Sequence, residues 1–390
     1  MTDLYLTAPQ AKAELEKCLQ CAAKPCMRAC PACVSPKDFI AYAKSGNWLE
    51  AAKLIQSQNP MGEICGLICP DSFCMKACVR AHLDAPIRIP PLQALIMQKA
   101  RTGNWLLTEN HVEPNGKKIA VIGTGPAGIG ATSVLLQQGC SVTVFEKNNV
   151  VGGALNLIPQ ARLPREIITY EWQRLMQNPL LTLKLKHKIQ DFPSLIKNGF
   201  DGVVVAVGEQ KTRSLGIDGE EWALSYTQYL ANPENYAGKK PVAVIGGGAV
   251  AVDCAITAKA QGSQHVEMFV RRRLDHMRIT QAERQSLLEN GVDITTMTRP
   301  VRLQKQGNEL TLWTSKTRFN SENKLEDIPN TTTPRTGFGY VILALGSARE
   351  QEIIPHEHIV FCGDFVQGGS TAVQAIADGK KAAQELVQSL

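Results

Sequence analysis

The chain has 390 residues, 44% hydrophobic and 20% charged, with a formal net charge of +6. That length allows two or three domains with substantial cores. So modest a charge, without a Lys/Arg-rich run interleaved with aromatics, leaves no nucleic-acid footprint. No run of about 18 apolar residues implies a membrane span, and the first residues lack a secretory pattern, so a cytoplasmic location is expected.

Residues 1 to about 112 read as a helical, cysteine-rich module. Trp48, Ala52 and Ile55 fall at i, i+4, i+7, and Leu92, Leu95 and Ile96 at i, i+3, i+4, both helical spacings. The Pro/Gly-bearing stretch 111–118 reads as a linker. From Lys118 the pattern changes to a buried strand (119–123), a glycine turn, a helix to about Gln138 and a second strand (141–146). The same plan returns with a strand at 242–246, a glycine turn, a helix to about Gln261 and a strand at 265–270. Apolar strands ending in Gly208 and Gly346, a strand at 359–362 and a C-terminal helix from about Thr371 complete the pattern. The polar stretch 314–337 reads as a loop-rich surface excursion.

This alternation predicts an α/β chain with parallel sheets, two Rossmann-like dinucleotide-binding domains behind a helical module. The expected boundaries are 1–112 for the helical module and 113–238 for the first nucleotide domain, completed by 346–390. The second nucleotide domain would be 239–345.

Gly123, Gly125, Pro126, Ala127 and Gly128 form the first glycine loop, between a strand and a helix. The first glycine makes the turn, the second admits a pyrophosphate to the backbone, and the third lets helix and strand pack closely. The helix N-terminus offers N–H groups to that pyrophosphate. Glu146 ends the second strand 18 residues after Gly128, where a carboxylate can accept from ribose hydroxyls. Lys147, Gly152 and Gly153 follow, and Gly363-Asp364 comes near the C-terminus. In two-dinucleotide flavoproteins such a Gly-Asp pair meets the ribityl chain, so the first site is assigned to FAD.

Gly246, Gly248, Ala249, Val250 and Ala251 form the second loop. No carboxylate ends its second strand; Arg271, Arg272 and Arg273 follow instead. Arginine there accommodates the 2′-phosphate of NADP, so NADPH is favoured over NADH.

Nine of the twelve cysteines lie between Cys18 and Cys78. Cys18, Cys21, Cys26 and Cys30 form one run; Cys65, Cys69, Cys74 and Cys78 form the other. Eight thiolates suffice for two 4Fe–4S clusters, and the Cys-Pro pairs at 30–31 and 69–70 are ferredoxin-like. Zinc is the main competitor, but within these two runs only Cys18/Cys21 has the C-x2-C spacing of zinc knuckles. Cys33 is spare, and Cys140, Cys254 and Cys362 read as buried hydrophobes. No C-x2-C falls in either nucleotide fold, which argues against a thioredoxin-reductase-type dithiol.

These runs, with both glycine loops, 146–153 and the closing Cys362-Gly363-Asp364, resemble the family of the glutamate synthase small subunit and the dihydropyrimidine dehydrogenase FAD/iron–sulfur subunit. The segment Ile158–Pro164, with Arg162, and the segment 85–93, ending in Gln93, look more like the pyrimidine branch. The resemblance implies that Cys18, Cys21, Cys26 and Cys78 hold one cluster. Cys30, Cys69 and Cys74 would hold the other, completed by Gln93 or Cys65. It also implies electron flow from NAD(P)H through FAD and the clusters to a partner, with no catalytic side chain of the chain's own. That partner would be an FMN-containing pyrimidine dehydrogenase subunit, a glutamate synthase large subunit or a ferredoxin-type acceptor. The rival class is a non-enzymatic iron–sulfur carrier or redox sensor. Three features depart from the family: the Cys69–Cys74 spacing is one residue short, Ala249 replaces an Asp or Asn, and the segment between Gly346 and Phe361 is abbreviated.

Overall fold

A computed structural model describes residues 4–105, 112–209, 211–350, 352–353 and 355–390. Part of the predicted linker (111) and part of the short segment after Gly346 (351 and 354) lie outside the described residues. The chain forms two compact units: 1–156 with 160–210 and 349–390, and 157–159 with 211–348.

In the first unit the cysteine module is built of short helices. The longer ones, Pro36–Lys44, Trp48–Gln58 and Ile89–Thr102, bury Phe39, Ile40, Ala52, Ile55, Leu92 and Ile96. Those spacings place each apolar set on one helical stripe. The helix Gly62–Ile68 lies so close to Ile89–Thr102 that a Cβ on Gly66 would stand 2.4 Å from the Ala94 nitrogen.

The same unit holds a five-stranded parallel sheet. Its order is Ile359–Phe361, Gly202–Val205, Lys118–Ile122, Ser141–Phe145, Leu181–Lys184. The central strands are near-continuous apolar runs because parallel strands are covered on both faces. On one face the helix Pro126–Gln137 packs against the C-terminal helix Ala372–Ser389 through Gly130 and Gly379. Residues 112–117 are tied to this fold, since the Asn115 N–H donates to the Gly139 carbonyl at 2.9 Å.

The second unit repeats the plan with the order Leu224–Ser225, Tyr340–Leu343, Val242–Ile245, Val266–Val270, Asp293–Thr296, all parallel. Only the origin of the edge strand differs: it comes from the far end of the chain in the first sheet and precedes the fold in the second. That edge strand, with the helix Tyr226–Ala231 packed on the core, puts residues 211–238 with the second unit rather than with the first nucleotide fold.

The stretch 314–337 is not loop. Thr298–Gln306, Glu309–Phe319, Leu325–Asp327 and Thr333–Phe338 form an antiparallel sheet around Glu309–Phe319. Alternation puts Leu310 and Leu312 inward, onto Ile245, Phe269 and Phe338. The polar residues that disguised it are buried with partners: Thr317 Oγ1 donates to the Arg271 carbonyl at 2.7 Å, and Ser315 and Thr331 share a 3.2 Å bond.

Candidate functional site

The first glycine loop is built as a cradle. Gly123 has φ +107°, and a Cβ there would meet the Ala206 carbonyl oxygen at 2.5 Å; one on Gly128 would meet the Gly123 carbonyl oxygen at 2.0 Å. Around Gly125 the space is open, with no atom within 4 Å of a Cβ position. Gly125 caps the helix Pro126–Gln137 with no side-chain hydrogen bond, leaving the first-turn N–H groups for an anion. The closed and open glycines are what a pyrophosphate needs, so these residues fit a dinucleotide.

Glu146 is buried at the end of its strand. It accepts from Thr124 N–H at 3.1 Å, Thr124 Oγ1 at 2.6 Å and Asn148 N–H at 2.9 Å. The Gly152 N–H donates to Thr124 Oγ1 at 3.2 Å, so one carboxylate ties the loop, the strand end and the Gly152-Gly153 turn together. Lys147 is exposed. The closing segment lies in the same unit. Gly363, at φ +70°, donates its N–H to Asp378 Oδ2 at 2.6 Å. The Asp364 carboxylate accepts from Ser370 N–H at 3.2 Å and Oγ at 2.5 Å, and burial raises its pKa. Arg162 is half-buried in this unit.

Two supporting side chains escaped the sequence reading. Trp172, fully buried, donates its indole N–H to the Thr124 carbonyl at 3.1 Å. Arg165 holds the segment after Gly153 through the carbonyls of Leu155, Asn156 and Leu163. Neither residue belongs to a spacing motif; only the heptad-like burial of Ile168, Trp172 and Leu175 hinted at an inward face.

The second loop has the same logic. Gly246 has φ +147°, with the Ala344 carbonyl oxygen 2.4 Å from a Cβ position, while Gly248 faces open space and caps Ala249–Ala260 without a side-chain bond. Ala251 takes the third-glycine position, its methyl 3.3 Å from a Cβ on Gly246. Ala249 and Val250 begin the helix and are half-buried. Arg271 and Arg272 are exposed, and their backbone is fixed by Thr317 and Met297 at the antiparallel sheet. Arg273 lies over the Phe319 ring instead. Arg278, which the sequence reading passed over, donates its N–H to the Gly247 carbonyl at 3.2 Å. Gly346, at φ +81°, follows the return strand Tyr340–Leu343 in this unit.

The cysteines gather around two cavities. One is bordered by Cys18, Cys21, Cys26 and Cys78 with Lys24, Lys37 and Ile40. The other is bordered by Cys30, Cys65, Cys69, Cys74 and Gln93, with Pro90 and Val373. Burial pushes the Cys18 and Cys26 thiols up, and Cys78 adds to both. The Cys74 thiol is pushed up to about 12 by burial, with Cys30 and Cys26 adding to it. Cys69 is raised by its hydrogen bond with Cys65, then by burial and by Cys74 and Cys30. Metal bound at these thiols would displace their protons, so metal binding and proton release are linked here. Among the described residues no three His, Cys, Asp or Glu side chains close on one point as ligands of a single ion do. Four thiols border each cavity, a donor set that would suit a 4Fe–4S cluster. Gln93 and Cys65 border the same cavity, and the Gln93 amide N–H donates to the Gly62 carbonyl at 2.7 Å. Cys33 is exposed in a left-handed conformation outside both sets, while Cys140, Cys254 and Cys362 are buried.

Two parallel dinucleotide folds with open glycine cradles, together with a module of clustered thiols, define an NAD(P)-dependent flavin and iron–sulfur oxidoreductase. Residues 2–105 match the dihydropyrimidine dehydrogenase domain II, 4Fe–4S cluster family, and residues 117–379 match the pyridine nucleotide-disulphide oxidoreductase family. The NAD-dependent dihydropyrimidine dehydrogenase subunit PreT of Escherichia coli K12 is 31% identical over 387 residues, covering 96% of this chain and 92% of the relative. The glutamate synthase [NADPH] small chain of the same organism is 26% identical, covering 98% and 92%. Mycobacterium tuberculosis FprA superposes with a TM-score of 0.61 at 14% identity, over 71% of this chain and 85% of that one, which establishes the fold. The chain belongs to the pyridine nucleotide-disulphide oxidoreductases, in the family that joins the PreT subunits and the glutamate synthase small chains. Its cofactors are FAD, NAD(P)H and 4Fe–4S clusters. No helix among the described residues is long and apolar enough to cross a membrane.

Proposed function

We propose that this chain is the electron-input subunit of a cytoplasmic, pyrimidine-reducing dihydropyrimidine dehydrogenase, taking electrons from NADPH and delivering them to a partner subunit. The observation that carries the reading is the grouping of thiols in one compact unit with the flavin fold. Cys18, Cys21, Cys26 and Cys78 border one cavity; Cys30, Cys65, Cys69 and Cys74 border the other with Gln93. When bound, FAD accepts electrons in pairs and two 4Fe–4S clusters pass them on singly.

The residues supply placement. The Gly123–Gly128 cradle and the helix behind it bind the FAD pyrophosphate, Glu146 fixes the loop and the ribose, and Asp364 orients the ribityl chain. In the second unit Gly246–Ala251 bind the nicotinamide dinucleotide, and Arg271 and Arg272 receive its 2′-phosphate. Relatives are named for NAD in one branch and for NADPH in the other; the paired arginines favour NADPH. Gln93, the Ile158–Pro164 segment with Arg162, and the PreT relationship favour the pyrimidine branch over a glutamate synthase large subunit as partner. Twelve free cysteines suit a reducing compartment. Co-expression with an FMN-containing pyrimidine dehydrogenase subunit tests the reading. NADPH-dependent reduction of uracil that needs both chains supports it; activity restored instead by a glutamate synthase large subunit replaces it.

A further inference from the structure

We propose that the face over the Cys18, Cys21, Cys26 and Cys78 cavity is the docking surface for an acidic electron-accepting protein, with Leu19, Val79 and Leu83 as its apolar centre. The proposal rests on the relay reading above and specifies its exit. The two thiol cavities differ in their surroundings. The one bordered by Cys30, Cys65, Cys69 and Cys74 includes Val373, from the helix that follows the flavin-closing segment Gly363-Asp364. The other is bordered only by residues of the cysteine module, between Cys18 and Ile89. Cys74 lies within electrostatic reach of both Cys30 and Cys26, so the two sets adjoin. Electrons coming from the flavin fold therefore meet the Cys74 set first and the Cys18 set last.

The surface over that last set is unlike an ordinary solvated face. Leu19 is 47% exposed, Val79 40% and Leu83 67%. Leu19 and Val79 border the cavity itself, beside Cys18 and Cys78. Leu83 follows within the same turn, its N–H donating to the Arg80 carbonyl at 2.9 Å. Scattered single apolar residues need no explanation, but three beside one redox site do. Their surroundings are basic. The segments 17–38 and 76–88, which supply all four thiols, hold seven lysines and arginines and two aspartates. Lys17, Lys24 and Arg80 pair with Glu14, Asp38 and Asp84 at 2.8, 2.6 and 2.7 Å, so the excess positive charge is that of Arg28, Lys37, Lys76 and Arg88. No carboxylate borders the cavity, whereas Lys24, Lys37 and Arg80 do. An apolar centre inside a basic rim matches a partner with an apolar patch inside an acidic rim.

The test uses the full chain purified with its flavin and clusters, NADPH as donor, and two one-electron protein acceptors of similarly high potential, acidic plant plastocyanin and basic cytochrome c. Ferricyanide serves as a small acceptor that needs no docking. The proposal predicts faster reduction of plastocyanin than of cytochrome c at low salt, with kcat/KM for plastocyanin falling about tenfold between roughly 0.05 and 0.3 M salt. Leu83→Glu lowers that kcat/KM about tenfold or more while ferricyanide reduction and iron content stay at wild-type levels. Leu83→Ala gives a smaller loss in the same direction. Equal reduction of both proteins, or a Leu83→Glu variant with unchanged plastocyanin kinetics, overturns the docking face. A preparation that lacks iron or fails to reduce ferricyanide overturns the relay reading itself, and the docking face with it.

Discussion

Replacing Gly379 by alanine tests how the C-terminal helix closes the flavin fold. A Cβ there would stand 2.0 Å from the Ala127 carbonyl oxygen and 2.8 Å from its carbon, both backbone atoms of the facing helix. Ordinary contact begins near 3.4 Å, so the helices must part by about 1.4 Å. Overpacking of this kind costs about 1–3 kcal/mol, and rigid backbone on both sides puts it near the top of that range. Alanine's helix propensity returns about 1 kcal/mol. The net loss is about 2 kcal/mol, or roughly 4–8 °C in Tm. The displacement also reaches the cofactor, because Asp378, the preceding residue, anchors Gly363 at 2.6 Å. A shift of that size loosens FAD by roughly 10- to 30-fold. Gly125→Ala is the contrast: its Cβ meets nothing in the protein, and φ of −70° suits alanine. That variant keeps the Tm of the flavin-free chain and loses FAD affinity through the cradle alone. Differential scanning calorimetry of the flavin-free chains and flavin fluorescence titrations read both effects. A Gly379→Ala chain with wild-type Tm and FAD affinity refutes the reasoning.

Gly66→Ala forces the helix carrying Cys65 away from Ala94 and Gln93, where a Cβ has 2.4 Å to the Ala94 nitrogen. Iron per chain then falls by about four, and the Cys18 set keeps its cluster, as iron analysis and electron paramagnetic resonance will show. Glu171 is fully buried; burial pushes its carboxyl up to about 7, against the lowering by Arg174, with Glu63 adding to the rise. Because the folded state holds this proton more tightly, the contribution of this group to stability is full below about pH 4.5 and is lost as pH rises through 7, by on the order of 3 kcal/mol. Glu171→Gln flattens that part of the pH–stability curve and raises Tm at pH 8; a wild-type curve already flat between pH 5 and 8 contradicts this. Replacing Arg271 and Arg272 together by serine raises KM for NADPH at least tenfold and leaves that for NADH within twofold, read by stopped-flow flavin bleaching. Equal effects on both donors remove the arginines from phosphate recognition.

The doubled nucleotide plan was legible because its physics is local. A buried strand, a glycine that must take positive φ and a helix of fixed length leave a spacing signature, and Gly123 and Gly246 stand where that signature puts them. The antiparallel sheet around Glu309–Phe319 was not legible. Its inward positions at Thr314, Ser315 and Thr317 are polar, and only tertiary partners such as the Arg271 carbonyl make them tolerable when buried. The edge strand Leu224–Ser225 is two residues long, too short for any periodicity, so residues 211–238 read with the wrong neighbour. The sharing of thiols between the cavities came from the resemblance, since spacing alone cannot say that Cys78 turns toward Cys18 and Cys30 toward Cys65. Trp172 and Arg165 act through hydrogen bonds to carbonyls, which leave no trace in a sequence.

The most direct measurement is an anaerobic reductive titration of the purified chain with dithionite, alongside iron, sulfide and flavin analysis. One FAD and two 4Fe–4S clusters take up about four electrons per chain, with about eight irons and one flavin. Uptake of two electrons with flavin alone, or zinc in place of iron at the early cysteines, would contradict the account.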